Sequence, residues 1–251
     1  MKALLVRVGI DSGTKSGGWN APVNPDTGEF AYVPIIEDES KGKKKIRCGY
    51  ETSYDQFKDT CQNLGVKLPE KLYGKCAHLD PDFRYLTYGD EGNRGAQLVN
   101  QNLGEGDRLA FYTSFESIKS SQHKPGEFIY AMIGLYVLAC KPKRAGDILE
   151  ENWHRNAHTR RYFEEDDIVF FGKKDSSGRL KRYIRIGEYR DRHYYLKSEL
   201  REKWGEPKAM SIQRGIRTLY YPERFCEWFE NEKKKIGLME SNNLLLCALE
   251  S

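Results

Sequence analysis

The sequence predicts an α+β fold with a mostly antiparallel, barrel-like sheet and peripheral helices. Three observations predict it. Strand and helix signals are mixed without the regular βαβ rhythm of a doubly wound sheet. The two strongest strand signals, at 108–115 and 128–140, are joined by the polar turn SSQHKPGE. No internal repeat or low-complexity linker divides the chain, so residues 1–235 read as one domain and 236–251 as a tail.

The elements follow in order. Residues 3–8, ALLVRV, are apolar with high β-propensity and start a strand. A Gly-rich loop runs over 9–28, and aromatic and β-branched residues over 30–36 give a second strand. Ser53 caps a helix over 54–63, with Gly65 just past its end. Residues 66–92 are turn-rich and contain HLDPDF; a helix over 93–102 is closed by Gly104. Gly106-Asp107 opens the strand over 108–115, and Gly134 within 128–140 marks a bulge or a close backbone approach. A helix is predicted over 147–161. Strands over 167–172 and 180–187 flank KKDSSG, which reads as hairpin turn chemistry. Helices are predicted over 198–204 and 222–235, the latter with Pro222 in its first turn.

The 251 residues are 39% hydrophobic and 31% charged, which excludes a membrane protein and argues against wholesale disorder. No apolar run approaches the ~18–20 residues that span a bilayer. Residues 1–10 read as a strand rather than a signal peptide, so the expected location is cytoplasmic. The six cysteines form no Cys-x-x-Cys pair and are expected to be buried thiols. The net charge of +4 is small, but it is focal. KGKKKIR at 41–47 carries five positive charges and no negative one; residues 179–197 carry seven positive and two negative. Such a face suits a polyanion.

Four constellations offer chemistry. The loop after the first strand places Asp11, Ser12, Ser16, Trp19 and Asn20 among glycines that let a ligand approach the backbone; it is neither a Walker A nor a GxGxxG motif. In HLDPDF, His78 and Asp80 are two apart and share a strand face. With a distant histidine, His158 or His154, they make the ligand pattern of a facial triad. Metal-free acid–base work by His78, Asp80 and Asp82, or loop anchoring, are the other readings. In WHRNAHTRR, a helix would put His154 and His158 on one face, while Arg155, Arg160 and Arg161 offer phosphate contacts. Over 179–197, Arg179, Lys181, Arg182, Arg185, Arg190 and Arg192 interleave with Tyr183, Tyr189, Tyr194 and Tyr195. Cations for phosphates beside rings for bases is a nucleic-acid pattern; a solvated amphipathic hairpin is the alternative.

The blocks LLVRVGIDSG, GGWNAPV, HLDPDF with LTYGD, GDRLAFYTSF, NAHTR and FFGKKDSSGRL, in that order, resemble the third family of nucleotide-modification-associated domains over about residues 1–230. These are bacterial and phage proteins of DNA-base modification systems. The resemblance implies a nucleic acid or nucleotide as partner, with other modification-system proteins beside it and no membrane. It names no cofactor. More loosely, GD…FY…S followed by IGLYV is similar to the barrel of PUA-like (EVE and ASCH) domains, which hold a modified or flipped base. That similarity implies a pocket near Tyr112, Ser114 and Tyr136. Within it Trp19 or a tyrosine such as Tyr88 would stack on the base, and Asn20 or Asp90 would read its edge. The expectations are therefore a base-holding binding protein, an enzyme using His78, Asp80, Asp82 and His158, or an interaction module without catalysis.

Overall fold

A computed structural model describes residues 1–13, 18–37, 46–47, 49–118, 120–121, 123–213 and 215–239. The strands, in chain order, are β1 (Ala3–Arg7), β2 (Pro22–Val23), β3 (Ile35–Ile36), β4 (Ala77–His78), β5 (Thr87–Asp90), β6 (Arg108–Ser117), β7 (Phe128–Val137), β8 (Lys143–Arg144), β9 (Ile168–Phe171), β10 (Gly178–Arg185), β11 (Gly187–Arg190), β12 (His193–Leu196) and β13 (Ile216–Thr218). The α-helices are α1 (Lys58–Gln62), α2 (Gly92–Asn100), α3 (Ala157–Arg160), α4 (Ser198–Trp204) and α5 (Pro222–Ile236).

The two longest apolar strands build the centre. β6 and β7 pair antiparallel within a sheet of order β10-β7-β6-β1-β13, and β2 is added to β6. β1 and β2 run parallel to β6; the other ladders are antiparallel. Alternation along these strands separates two cores. Leu4, Val6, Leu109 and Phe111 face one side, with Tyr88 and Phe170 of the small β5-β9-β8 sheet. Ala3, Leu5, Ala110 and Tyr112 face the other, covered by Trp204 of α4 and Phe225 and Phe229 of α5. A period of two with both faces buried is what near-continuous apolar strands encode.

The sheets are several and mostly antiparallel, and the expected barrel is not found closed among the described residues. The strand path ends at β10 and β13, which do not pair with each other, and no sheet closes among the described residues. The KKDSSG turn is also no hairpin. β9 pairs with β5 and β8, and β10 pairs with β7, so the turn carries the chain from one sheet to another. Lys173 N donates to Val137 O and Val137 N to Ser177 Oγ, so the turn is fastened to the end of β7 instead. The expected helix over 147–161 is broken at Asn156, which is extended (φ −144°, ψ 147°) between a 3-10 turn at Glu150–Arg155 and α3. The strand expected over 30–36 contracts to β3 and an isolated bridge at Phe30.

Gly134 has both expected features. The β6–β7 register slips between Phe111 and Tyr112, leaving Ile133 as the extra residue. A Cβ at Gly134 would collide with the Phe83 ring and lie 2.7 Å from Gly178 O. Gly134→Ala should therefore destabilise the fold by about 1–3 kcal/mol, the usual cost of overpacking, in a denaturant titration.

Cys61, Cys140 and Cys226 are free thiols, and of these Cys61 is buried. No helix among the described residues is long and apolar enough to cross a membrane. Ser16, Cys48, the lysines of 41–45 and the tail from 240 onward lie outside the described residues.

Candidate functional site

Two short ladders assemble a buried polar cluster. β3 pairs with β4, Ile35 opposite His78, and Glu37 N donates to Cys76 O; this sets Glu37 beside His78. β5 pairs with β9, Asp90 opposite Ile168, and this sets Asp167 at the edge of the same space. Asn156 then delivers the third segment. Its Oδ1 accepts from His158 N at 2.9 Å, capping α3, and its Nδ2 donates to Asp80 Oδ1 (3.3 Å) and Thr87 Oγ1 (3.2 Å).

His78, Asp80 and His158 converge. The two Nε2 atoms are 3.3 Å apart, and Asp80 Oδ2 lies 3.5 Å from His158 Nε2 and 4.0 Å from His78 Nε2. The outer nitrogens are held by carboxylates: His78 Nδ1 meets Glu37 Oε2, and His158 Nδ1 meets Asp167 Oδ1, each at 2.7 Å. Burial alone would raise the Glu37 and Asp167 carboxyls. For Glu37, His78 and Arg161 outweigh it; for Asp167, His158 and Arg161 do; each is held at about 2. His158 Nδ1 is shared between Asp167 Oδ1 and Arg161 Nη2, which lies 2.9 Å away. With both rings neutral and their protons on Nδ1, the two Nε2 lone pairs face each other and Asp80.

In that tautomer three buried acceptors are turned on one point and repel one another unless a cation or proton sits between them. Ligand atoms about 2.1 Å from one metal ion are about 3.0 Å apart at right angles and about 3.4 Å apart in a tetrahedron. The observed 3.3 and 3.5 Å fall on that scale and 4.0 Å lies slightly beyond it. Burial raises the Asp80 carboxyl, opposed by His158, His78 and the Gly89 N–H, which donates to both its oxygens at 2.8–2.9 Å. For His158, burial works against the charged form, but Asp167 and Asp80 prevail and its basicity is raised.

Glu91, His158 and Asp167 also come close enough to hold an ion. That place is taken by the Arg161 guanidinium, whose Nη2 donates to Glu91 Oε2 (2.9 Å) and Asp167 Oδ1 (3.0 Å) while Nη1 donates to Glu37 Oε1 (3.0 Å). Arg161 thus balances the outer carboxylates and leaves the His78–Asp80–His158 face to another partner.

The break at Asn156 separates the two histidines expected on one helical face. His158 joins the cluster, whereas His154 packs edge-on against Tyr85 at 5.2 Å. Asp82 stands apart from the trio: Oδ1 accepts from Arg84 N and Tyr85 N, and Oδ2 accepts from Arg160 Nη2 at 2.5 Å. His154, Asp82 and Arg160 line a cavity of about 490 Å³, a size that suits a small ligand, together with Tyr32, Tyr50, Phe57, Arg84, Tyr85 and Arg179.

Most residues expected around a base form one polar network on the other side of β5. Arg7 reaches Asp11 (2.9 Å) and Ser114 Oγ (3.1 Å), which donates to Asn20 Oδ1 (3.0 Å). Arg94 donates to Tyr88 Oη and Arg7 O, both at 3.2 Å, and Tyr88 Oη donates to Asp90 Oδ2. Neither Arg7 nor Arg94 stood out in the sequence. β5 links network and cluster, since Gly89 lies between Tyr88 and Asp90. Trp19 packs partly buried against the core, and Tyr136 is a core residue whose hydroxyl donates to Asp82 O. Tyr112 is buried toward α4 and α5, its hydroxyl pushed up to about 12 by burial.

Of the basic segment, Arg179 is drawn inward and stacks on Phe30 at 4.3 Å. β11 and β12 form a hairpin turning at Asp191-Arg192, with Tyr189 exposed. Arg185 approaches Glu127, and Arg190 approaches Glu188 and Asp191. Lys181, Arg182 and Arg192 are exposed.

No curated protein and no solved structure matches the chain. Residues 2–235 match the family model of nucleotide modification associated domain 3, and the chain belongs to that family.

Proposed function

We propose that the protein is a metal-dependent enzyme of a nucleotide-modification system, acting on a nucleotide or a DNA base, with His78, Asp80 and His158 as the ligands of a divalent transition metal. One observation carries the reading: two imidazole Nε2 atoms and a carboxylate oxygen lie 3.3–4.0 Å apart, with both Nδ1 atoms tied to carboxylates. Two histidines and one carboxylate suit Fe(II) or Zn(II) and leave coordination positions free for water and substrate. The metal would supply Lewis acidity or a redox centre. The chain's own residues do the rest. Glu37 and Asp167 fix the tautomer and direction of each ring, as outer carboxylates do in carboxylate–histidine–metal sites. Gly89 N–H and Asn156 hold the Asp80 carboxylate in place, and Arg161 offsets the surrounding negative charge.

The test is metal analysis of the full-length protein, then turnover of nucleotides and DNA with and without chelator. About one equivalent of metal and chelator-sensitive turnover are expected. No metal, together with turnover that chelator leaves unchanged, would refute the reading.

Gly89→Ala probes the geometry without replacing a ligand. The added methyl would strike the His158 ring, 2.8 Å from Cγ, and lie 2.9 Å from Asn156 Oδ1. Displacing the ring should weaken metal binding by about 10–100-fold, the range for disturbed supporting residues. Circular dichroism should remain that of the wild type. Unchanged metal affinity would count against the assigned geometry.

A further inference from the structure

In the sequence Arg47 closes the basic run KGKKKIR, a stretch suited to a polyanion. In the structure its side chain has a different use. The guanidinium carbon lies 3.9 Å from the centre of the Trp153 ring, 4.5 Å from that of Tyr162 and 5.4 Å from that of Phe163. All three are within the ~6 Å over which a ring attracts a cation, and tryptophan is the strongest ring for it. The cage is itself braced. Trp153 and Phe163 meet edge to face at 5.8 Å, and Trp153 Nε1 donates to Ile148 O at 2.9 Å.

What the cage holds in place is the dipeptide Arg160-Arg161. Arg47 N donates to Arg160 O at 2.9 Å, Arg47 Nε donates to Arg161 O at 3.3 Å, and Ile46 forms an antiparallel bridge with Arg161. The Thr159 hydroxyl donates to Trp153 O at 2.7 Å, so a cage wall is tied to α3 as well. α3 ends at Arg160, and Arg161 beyond it is extended (φ −112°, ψ 174°), so bonds within the helix do not set the direction of its side chain. That direction matters. The Arg161 guanidinium has to reach Glu37, Glu91 and Asp167 together, and it lies 2.9 Å from His158 Nδ1. A rigid planar fork meets several acceptors at once only from a narrow range of backbone positions.

We propose that Arg47 is a positioning residue for the metal centre: caged by Trp153, Tyr162 and Phe163, it fixes the Arg160-Arg161 backbone and so sets the Arg161 guanidinium against the carboxylates that orient the two histidines. None of the Arg47 contacts above is to a metal ligand, so its effect passes through Arg161. The consequence for metal rests on the reading above; the link to Arg161 does not.

The test is a double-mutant cycle on the full-length protein with Arg47→Ala, Arg161→Ala and the two combined, read as Zn(II) affinity by chelator competition. Arg47→Ala should weaken Zn(II) binding about tenfold, the low end of the range for supporting residues, and keep the circular dichroism of the wild type. In the Arg161→Ala background the same change should cost less than about threefold, because coupled residues are not additive. Arg47→Lys keeps a cation in the cage but loses the Nε–H, and its affinity should fall between those of wild type and Arg47→Ala. Lys58→Ala removes a cation 4.1 Å over Tyr73 and should leave Zn(II) affinity unchanged. Arg161→Lys replaces Arg161→Ala in the cycle if the alanine variants do not fold. The cycle is also read as melting temperature in chelator-treated protein, where Arg47→Ala should lower it less in the Arg161→Ala background than in the wild type. If the wild type takes up no Zn(II), the metal reading fails, and the link between Arg47 and Arg161 is decided by melting temperature alone. Wild-type Zn(II) affinity in Arg47→Ala, or additive losses in either readout, would overturn the proposal.

Discussion

Replacing His158 with alanine is expected to lower divalent-cation affinity by more than about 100-fold, because changes to mere supporting residues already cost 10–100-fold. The substitution removes one of three donors and also frees Asp167 from its 2.7 Å contact. Asp80 loses the nearer of its two histidines, at 3.5 Å rather than 4.0 Å. Turnover should fall with metal content, and added metal should not restore it. His158→Gln keeps a polar group of similar length and serves as the folding control. A variant that retains stoichiometric metal at wild-type affinity would show that the two imidazoles are paired for structural reasons alone. The measurement is competition with a chromogenic chelator at one fixed pH, because protons and metal compete for the same ring nitrogens.

Arg161→Ala is expected to cost about 3–5 kcal/mol of stability, the range for removing one partner from a buried ionic cluster. Arg161 is 3% exposed and bridges Glu37, Asp167 and Glu91. Without it, Glu37 and Asp167 face each other's charge in a dry environment with only the histidines to compensate. For a chain of this length the melting temperature should drop by roughly 10 °C. Arg161→Lys should recover only part of the loss, since an ammonium lacks the planar fork that reaches three carboxylates at once. A loss below about 1 kcal/mol in Arg161→Ala would mean that the cluster is solvated and that its buried electrostatics are not as described.

The sequence made the local parts of this fold legible. Apolar runs at 3–8 and 108–115 became β1 and β6, and Pro222 marked the start of α5. Non-local choices were not legible. Nothing in KKDSSG says that the strand after it will pair with β7 instead of β9. The break at Asn156 comes from a side chain that outcompetes the helix for a backbone N–H and then reaches Asp80, 76 residues away.

The site divides in the same way. His78 and Asp80 announced themselves by spacing, and His158 by its motif. Glu37 and Arg161 meet across 124 positions, and no local pattern links them. A weak signal existed: Glu37, the first of three acids after Ile35-Ile36, and Asp167, the last of four acids before the apolar strand Ile168–Phe171, each border a segment where burial is expected. The cavity residues Tyr32, Tyr50 and the adjacent pair Arg84-Tyr85 come from three separate segments, and only the tertiary fold brings them together.

The most direct test of the metal centre is anomalous scattering from crystals of the full-length protein grown with Zn(II) or, without oxygen, with Fe(II). The account expects one strong peak about 2.0–2.2 Å from His78 Nε2, His158 Nε2 and an Asp80 carboxylate oxygen. A peak beside Glu91 and Asp167 with Arg161 displaced, or no peak within reach of the two histidines, would contradict it.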